Sequence, residues 1–189
     1  MLPLVSLLAA FLDLHGQRAV VVGGGAVALR RTKALLSAGL EVQVIAPVVQ
    51  PELAMLPLTV QRRAYQRGDL AGAALVVAAT DQPGVNAQVV SDARAQGTLV
   101  NDAGDAARST LRFPAVAQQA GVQVAVTTGR ELPLLAQALT ARVADLLPTE
   151  AQVQGWAAQR EDALTLPGDR KRAALDTLRA DISRALGAA

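Results

Sequence analysis

Three consecutive glycines, Gly23, Gly24 and Gly25, separate the apolar run Ala19–Val22 from the segment AVALRR that begins at Ala26. Gly23, Gly25 and Ala28 satisfy the spacing G-x-G-x-x-A. After a strand and at the opening of a helix, that spacing has a definite chemical use. The first glycine permits a tight turn, the second lets a pyrophosphate meet bare backbone, and the alanine lets helix and strand pack closely. The helix start offers unpaired N–H groups and a partial positive charge to the anion. These residues predict a dinucleotide site, with a purely structural glycine turn as the alternative. One part of the fingerprint is missing. Where an acidic residue often holds the ribose, about 20 residues on, the chain has Ile45-Ala46-Pro47. Glu41 is at the wrong end of that strand and no arginine adjoins Pro47, so the ribose position does not choose between NAD and NADP.

The rest of the composition narrows the chemistry. The chain has 189 residues, a net charge of +2, 51% hydrophobic residues and only 2% aromatics. An Ala/Val/Leu core of that kind suits an α/β protein. The basic residues are nearly all arginine, a clamp for carboxylates and phosphates, but their balance does not mark a nucleic-acid binder. Cysteine is absent, which excludes disulfides, thiolate metal sites and a cysteine nucleophile. The single histidine, His15 in DLHGQ, reads as an exposed turn residue, and no metal site is expected. The run MLPLVSLLAAFLDL lacks a basic start and contains Asp13, so it is not read as a signal peptide. No apolar run reaches the roughly 20 residues of a membrane span. A soluble, cytoplasmic protein is expected.

The elements that must position the glycine turn follow from periodicity. Strands are expected at Ala19–Val22, Glu41–Ile45, Leu58–Gln61, Ala73–Ala79 and Thr98–Asn101. Helices are expected at Ala26–Ala38, with Val27, Ala34, Leu35 and Ala38 on one face and Gly39 closing it, and at Val85–Gln96, closed by Gly97. The alternation predicts a Rossmann-like, doubly wound parallel sheet, with the loops GGGAV, APVVQ, ATDQPG and NDAGDA along one edge. Beyond it, two short β-like runs, Leu111–Val116 and Val122–Thr127, precede a helix that opens at Pro133 and is ended by Pro148. Two more helices are expected, Glu150–Ala163 and Asp169–Leu186. In the last, Ala174, Leu175, Leu178, Ile182 and Leu186 recur at helical spacing. The tail reads as a packing module.

Taken in order, LPL, DLHGQRAVVVGGGAVALRRTKALLSAGLEVQVIAP, AATDQPGVN, LVND, FPA, and VTTG followed by PLLAQALTARVADLLP resemble the precorrin-2 dehydrogenase family, the NAD-dependent half of siroheme synthase. The resemblance covers nearly the whole chain. It implies a homodimer with an NAD-binding domain (residues 1–110), a small α+β dimerisation region (111–147) and a helical domain (148–189). It implies a cofactor, NAD, and an activity, the oxidation of precorrin-2, a tetrapyrrole with many carboxylates, to sirohydrochlorin. Some relatives also insert ferrous iron into the product. Carried onto this chain, Gly23, Gly24, Gly25, Ala26 and Val27 form the phosphate turn, Pro47 and Val48 the adenosine-side loop, and Thr80 and Asp81 the loop beneath the nicotinamide.

Two positions depart from the family pattern. The aspartate proposed as the family's acid or base falls on Gly104, with Asp105 beside it and Asp102 two residues before. Leu132 stands where a serine often precedes the proline. Either Asp105 serves, the reading favoured here, or the base is Asp102, or no side chain is essential. Arg108, Arg112 and Arg130 lie in segments expected to flank the cleft and suit a polycarboxylate, while Arg62, Arg63 and Arg67 read equally well as a solvated surface. Two other functions stay open: an enzyme that also inserts iron, and a non-catalytic protein that binds dinucleotide or tetrapyrrole.

Overall fold

The computed structural model describes residues 7–129 and 132–187. They divide into two compact units, Ala9–Phe113 and one that joins residues 7–8 to the chain from Pro114 onward. The first is a five-stranded parallel sheet built from β1 (Arg18–Val22), β2 (Glu41–Ile45), β3 (Thr59–Gln61), β4 (Leu75–Ala78) and β5 (Leu99–Asp102), in the order β3-β2-β1-β4-β5. Helices α1 (Ala26–Ser37), the short α2 (Pro51–Ala54) and α3 (Pro83–Ala95) connect the strands.

Strand alternation assigns the two faces. Ala19, Val21, Val42, Val44, Leu75 and Val77 pack with Ala28 and Leu35 of α1 and Leu53 of α2. Val20, Val22, Ile45, Val76, Ala78 and Val100 pack with Val89, Val90 and Ala93 of α3. Both faces of the central strands are thus covered, which is why they read as continuous apolar runs. Val20, Val21, Val76 and Val77 are fully enclosed, each contributing about 1.5–3 kcal/mol through burial. The strand order reverses between β1 and β4, and the carboxyl ends at such a reversal are where open α/β sheets take ligands.

The stripe expected on α1 is rotated. Its buried residues are Ala28, Thr32 and Leu35, whereas Val27 is exposed and Ala34 and Ala38 face outward. The reason lies in the first turn, where Val27 faces the cleft described below and not the core. Gly39 ends the helix with φ of +78°, a left-handed conformation that favours glycine. The exposed turn residue His15 lies against the place a Gly39 side chain would fill. The β3–β4 connection is tied down from two sides. Arg63 donates to both carboxylate oxygens of Asp69 at 2.7 Å, and Arg18 donates to the Asp69 carbonyl at 2.9 Å and to Ala71 and Gln43. Leu70, within the connection, is fully buried in the α3-side core.

In the second unit, β6 (Ala115–Gln119) and β7 (Val122–Val126) form an antiparallel hairpin. Helix α4 (Pro133–Ala144) packs on both strands, and α5 (Glu150–Thr165) packs on α6 (Gly168–Ala185). The β-run expected from Leu111 starts late. Leu111 and Phe113 pack against the first unit's core, so the strand opens only at Ala115, after Pro114. Helix α4 stops at Ala144, before the Pro148 expected to end it. Thr149 and Gln152 cap α5 reciprocally. On α6, Leu178 is buried and Ala174, Leu175, Ile182 and Leu186 are half-buried, the side its spacing indicated.

Candidate functional site

A cleft of about 740 Å³ opens at the carboxyl edge of the sheet, within the first unit. Gly23, Gly24, Gly25, Ala26 and Val27 line it after β1, Pro47, Val48 and Gln50 after β2, Ala64 and Tyr65 after β3, and Thr80, Asp81 and Gln82 after β4. Of the loops expected along this edge, GGGAV, APVVQ and ATDQPG contribute to the wall. The NDAGDA loop after β5 does not.

The three glycines do three different things. Gly23, at φ of +131°, passes so close to Ala79 that any side chain would collide with its carbonyl. Gly24 passes equally close to the carbonyl of Val48 and accepts a hydrogen bond from the Gln50 amide at 3.0 Å. Gly25 has nothing within 4 Å of where its Cβ would be. It is the N-cap of α1, has no side-chain cap, and no acidic residue follows in the first turn. The opening amides of α1 therefore have no intrahelical partner, and the bare position beside them is the open one. That combination suits a phosphate.

After β4, the turn at Thr80 is fastened by a buried side chain. Asn86 on α3 accepts from the Thr80 amide at 3.1 Å and from its hydroxyl at 2.7 Å, and returns a bond to the Thr80 carbonyl at 3.1 Å. Asp81 is exposed beside it on the cleft wall.

The two candidate bases have different surroundings. The Asp102 side chain is completely buried, with one oxygen accepting from the amides of Gly104 at 2.9 Å and Asp105 at 3.2 Å. Its other oxygen lies 2.8 Å from the Arg108 guanidinium. Asp105 is 45% exposed; one oxygen caps the short helical turn Ala106–Arg108 through the Ala107 amide at 3.0 Å, and the other pairs with Arg108 at 3.2 Å. Arg108 thus joins both carboxylates. Arg112 donates to the Ala106 carbonyl at 3.5 Å. Arg130 lies outside the described residues. None of Asp102, Asp105, Arg108 and Arg112 lines the cleft. At Gly104 a side chain would meet only ordinary contacts with Asp102 and Asn86.

Residues 10–115 match the family model described as "Putative NAD(P)-binding". The chain belongs to this NAD(P)-binding family. Within it, the chain is 41% identical over 157 residues to a siroheme synthase of Pseudomonas entomophila, covering 80% of this chain and 34% of the relative. It is 44% identical over 142 residues to a siroheme synthase of Chromobacterium violaceum, covering 73% and 30% respectively. The chain spans about a third of the length of these relatives. Among solved structures it shares its fold with SirC, precorrin-2 dehydrogenase, at a TM-score of 0.72 and 23% identity, over 92% of this chain and all of the other.

Three residues of this NAD(P)-binding chain escape the motif pattern: Gln50 and Tyr65, which line the cleft, and Asn86, which fastens Thr80. Gln50 carries the main-chain link to Gly24, which no side-chain pattern encodes. Asn86 lies in the loop-helix segment TDQPGVN, and an asparagine opposite a threonine six residues back was its only signal. Tyr65 is the single tyrosine of the chain, and its segment RRAYQRGD was read for its charges alone.

Proposed function

We propose that this chain is an NAD-dependent precorrin-2 dehydrogenase that forms sirohydrochlorin in siroheme biosynthesis. The observation that carries the reading is the cleft at the strand-order reversal, with an open Gly25 beside the uncapped start of α1. The siroheme synthase relatives and the shared fold with a precorrin-2 dehydrogenase support it. NAD supplies the hydride acceptor for a reaction in which the reduced macrocycle loses a hydride and a proton. The chain's own part is placement, which is most of what a hydride transfer requires of a protein. Gly23–Val27 hold the pyrophosphate, Pro47 and Val48 border the adenosine, and Asn86 fixes Thr80 and Asp81 below the nicotinamide.

Asp105 is assigned the proton. Its carboxylate is half exposed, while that of Asp102 is enclosed and engaged by two amides and Arg108. Arg108 and Arg112 are the proposed partners of substrate carboxylates. Residues 111–147 are assigned to a homodimer interface and residues 148–189 to a helical domain. Leu134, Leu135 and Leu139 of α4 are 78%, 46% and 45% exposed, which favours a second copy as their cover. No helix among the described residues is long and apolar enough to cross a membrane, in keeping with a cytoplasmic enzyme.

The test is to incubate the protein with precorrin-2 and NAD and follow NADH and the sirohydrochlorin spectrum. NADH formation is expected, with slower turnover and unchanged NAD affinity in Asp105→Asn. Full activity in that variant with loss in Asp102→Asn would reverse the assignment of the base. Nucleotide binding without any NADH would replace the enzyme with a binding protein.

A further inference from the structure

Tyr65 is held in an unusually defined setting for a loop residue. Its hydroxyl donates to Asp92 Oδ2 at 2.9 Å. Asp92 sits on α3 with its side chain only 6% exposed, and its other oxygen accepts from Gln88 at 2.9 Å, with Arg67 3.8 Å away. Burial, and then the bond to Asp92, pushes the phenol well above its ordinary range, so it stays protonated and donating. The ring packs against the α3-side core beside Val85, and both residues also line the cleft. The backbone on either side is also tied, since Asp69 accepts from the Gln66 amide at 2.8 Å and the Ala64 carbonyl accepts from Arg63 at 3.1 Å. The segment therefore carries one aromatic ring from β3 across to α3 and fixes it at the cleft wall.

The two halves of that wall differ in chemistry. On the β2–β3 side stand Ile45, Ala46, Pro47, Val48, Ala64 and Tyr65, with Gln50 as the polar exception. On the β4 side the polar residues Thr80, Asp81 and Gln82 stand between Ala79 and Val85. An apolar half with one immobilised ring suits a flat nucleobase, because an aromatic face stacks on any base and a pre-set ring loses little freedom when it does so.

We propose that Tyr65 is the adenine platform of this cleft, with Asp92 as the residue that positions its ring. The inference rests on the dinucleotide reading above and names a binding residue which that reading leaves out. It also explains why a buried carboxylate is kept on α3 opposite a loop.

The single tyrosine makes the test direct. The full chain is labelled with [13C]tyrosine and titrated with ADP-ribose and, separately, with nicotinamide mononucleotide. ADP-ribose is expected to shift the one ring resonance by stacking, and nicotinamide mononucleotide to leave it in place. Tyr65→Leu, which keeps apolar bulk without a π face, is expected to weaken ADP-ribose roughly tenfold or more. Tyr65→Phe keeps the face but loses the bond to Asp92, so it is expected to weaken ADP-ribose as Asp92→Ala does and less than Tyr65→Leu. Asp92→Ala should weaken ADP-ribose selectively over the mononucleotide, and Asp92→Asn, which retains an acceptor, should restore it. If ADP-ribose binds the wild-type chain without moving the tyrosine resonance, or binds Tyr65→Leu as tightly, the platform is refuted while the nucleotide site stands. If ADP-ribose does not bind the wild-type chain at all, the dinucleotide reading fails first.

Discussion

The two units of this chain solve the burial problem differently. The sheet unit encloses Val20, Val21, Leu53, Leu70, Val76, Val77, Val89 and Val100 completely. In the unit from Pro114 onward, the buried apolar residues among those described are Ala117, Ala136, Pro148, Ala163 and Leu178, while Leu132, Leu134 and Leu146 are 50–78% exposed. Strands buried on both faces make a core without help. A two-stranded hairpin with helices alongside leaves apolar surface that something else must cover. The contrast teaches that the cleft belongs to a unit with a large core of its own, and the exposed leucines of the other support its proposed role in association.

The sharpest way to break this contrast is to truncate one leucine in each unit. Leu70→Ala, at the buried leucine of the β3–β4 connection, is expected to cost about 2–5 kcal/mol by urea denaturation. Leu134→Ser, on the open side of α4, should leave the folding of a monomer within about 0.5 kcal/mol and lower dimer mass in analytical ultracentrifugation. A stability loss at Leu134 in a chain that stays monomeric would remove the argument for association. Next in size is a contrast within the glycine turn. Gly23→Val is expected to destabilise by about 3 kcal/mol through backbone collision and strain. Gly25→Val should leave the melting temperature near that of the parent and reduce NAD affinity in a calorimetric titration. Equal losses of stability at both positions would erase the distinction between packing glycine and binding glycine.

A smaller effect is expected from Thr149→Ala, which removes one half of the α5 capping box and about 1 kcal/mol of stability. The change should be seen in the second unit's helical signal before the sheet unit responds. Least in size is an acid effect at Asp69. The bonds from Arg63, and secondarily the Gln66 amide, hold its carboxyl below the ordinary range. A carboxylate lowered in the folded state contributes stability above its unfolded value, which is lost as the pH falls through the folded one. The stability difference between the parent and Asp69→Asn is therefore expected to be constant from neutrality to about pH 5 and to shrink below about pH 4. A difference that grows in acid would contradict the pairing.

Much of the sheet unit was legible in the sequence because one signal governs it. AVVV and ALVVAA are apolar without alternation, and only a strand covered on both faces reads that way. Glu41–Ile45 emerged with the bounds it has in the structure. The helix facing was harder, since Val27 is as apolar as a core residue yet borders the cleft. The strand expected from Leu111 slipped because Leu111 and Phe113 are apolar for the sake of the preceding unit's core. Of the candidate site, the glycine turn followed from its spacing after a strand, and positions 47, 48, 80 and 81 came from the family resemblance; all of them line the cleft. Tyr65 and Asn86 could not be located in either way, because their importance comes from partners 27 and six residues away. The charges near Asp102 and Asp105 were visible, but not their different surroundings, which depend on where Arg108 reaches.

The meeting of Gly24 with residues 48 to 50 has a practical corollary. The path of the chain after β2 is held there by peptide groups, so the letters at Pro47 and Val48 are decoupled from the shape they decorate. Val48 is 80% exposed and has ample room to change. An acidic residue written at either place would add a hydroxyl-gripping group without redrawing the cradle. On the proposed nucleotide reading, a change of cofactor preference is expected to be open at the rim while the foundation stays as it is.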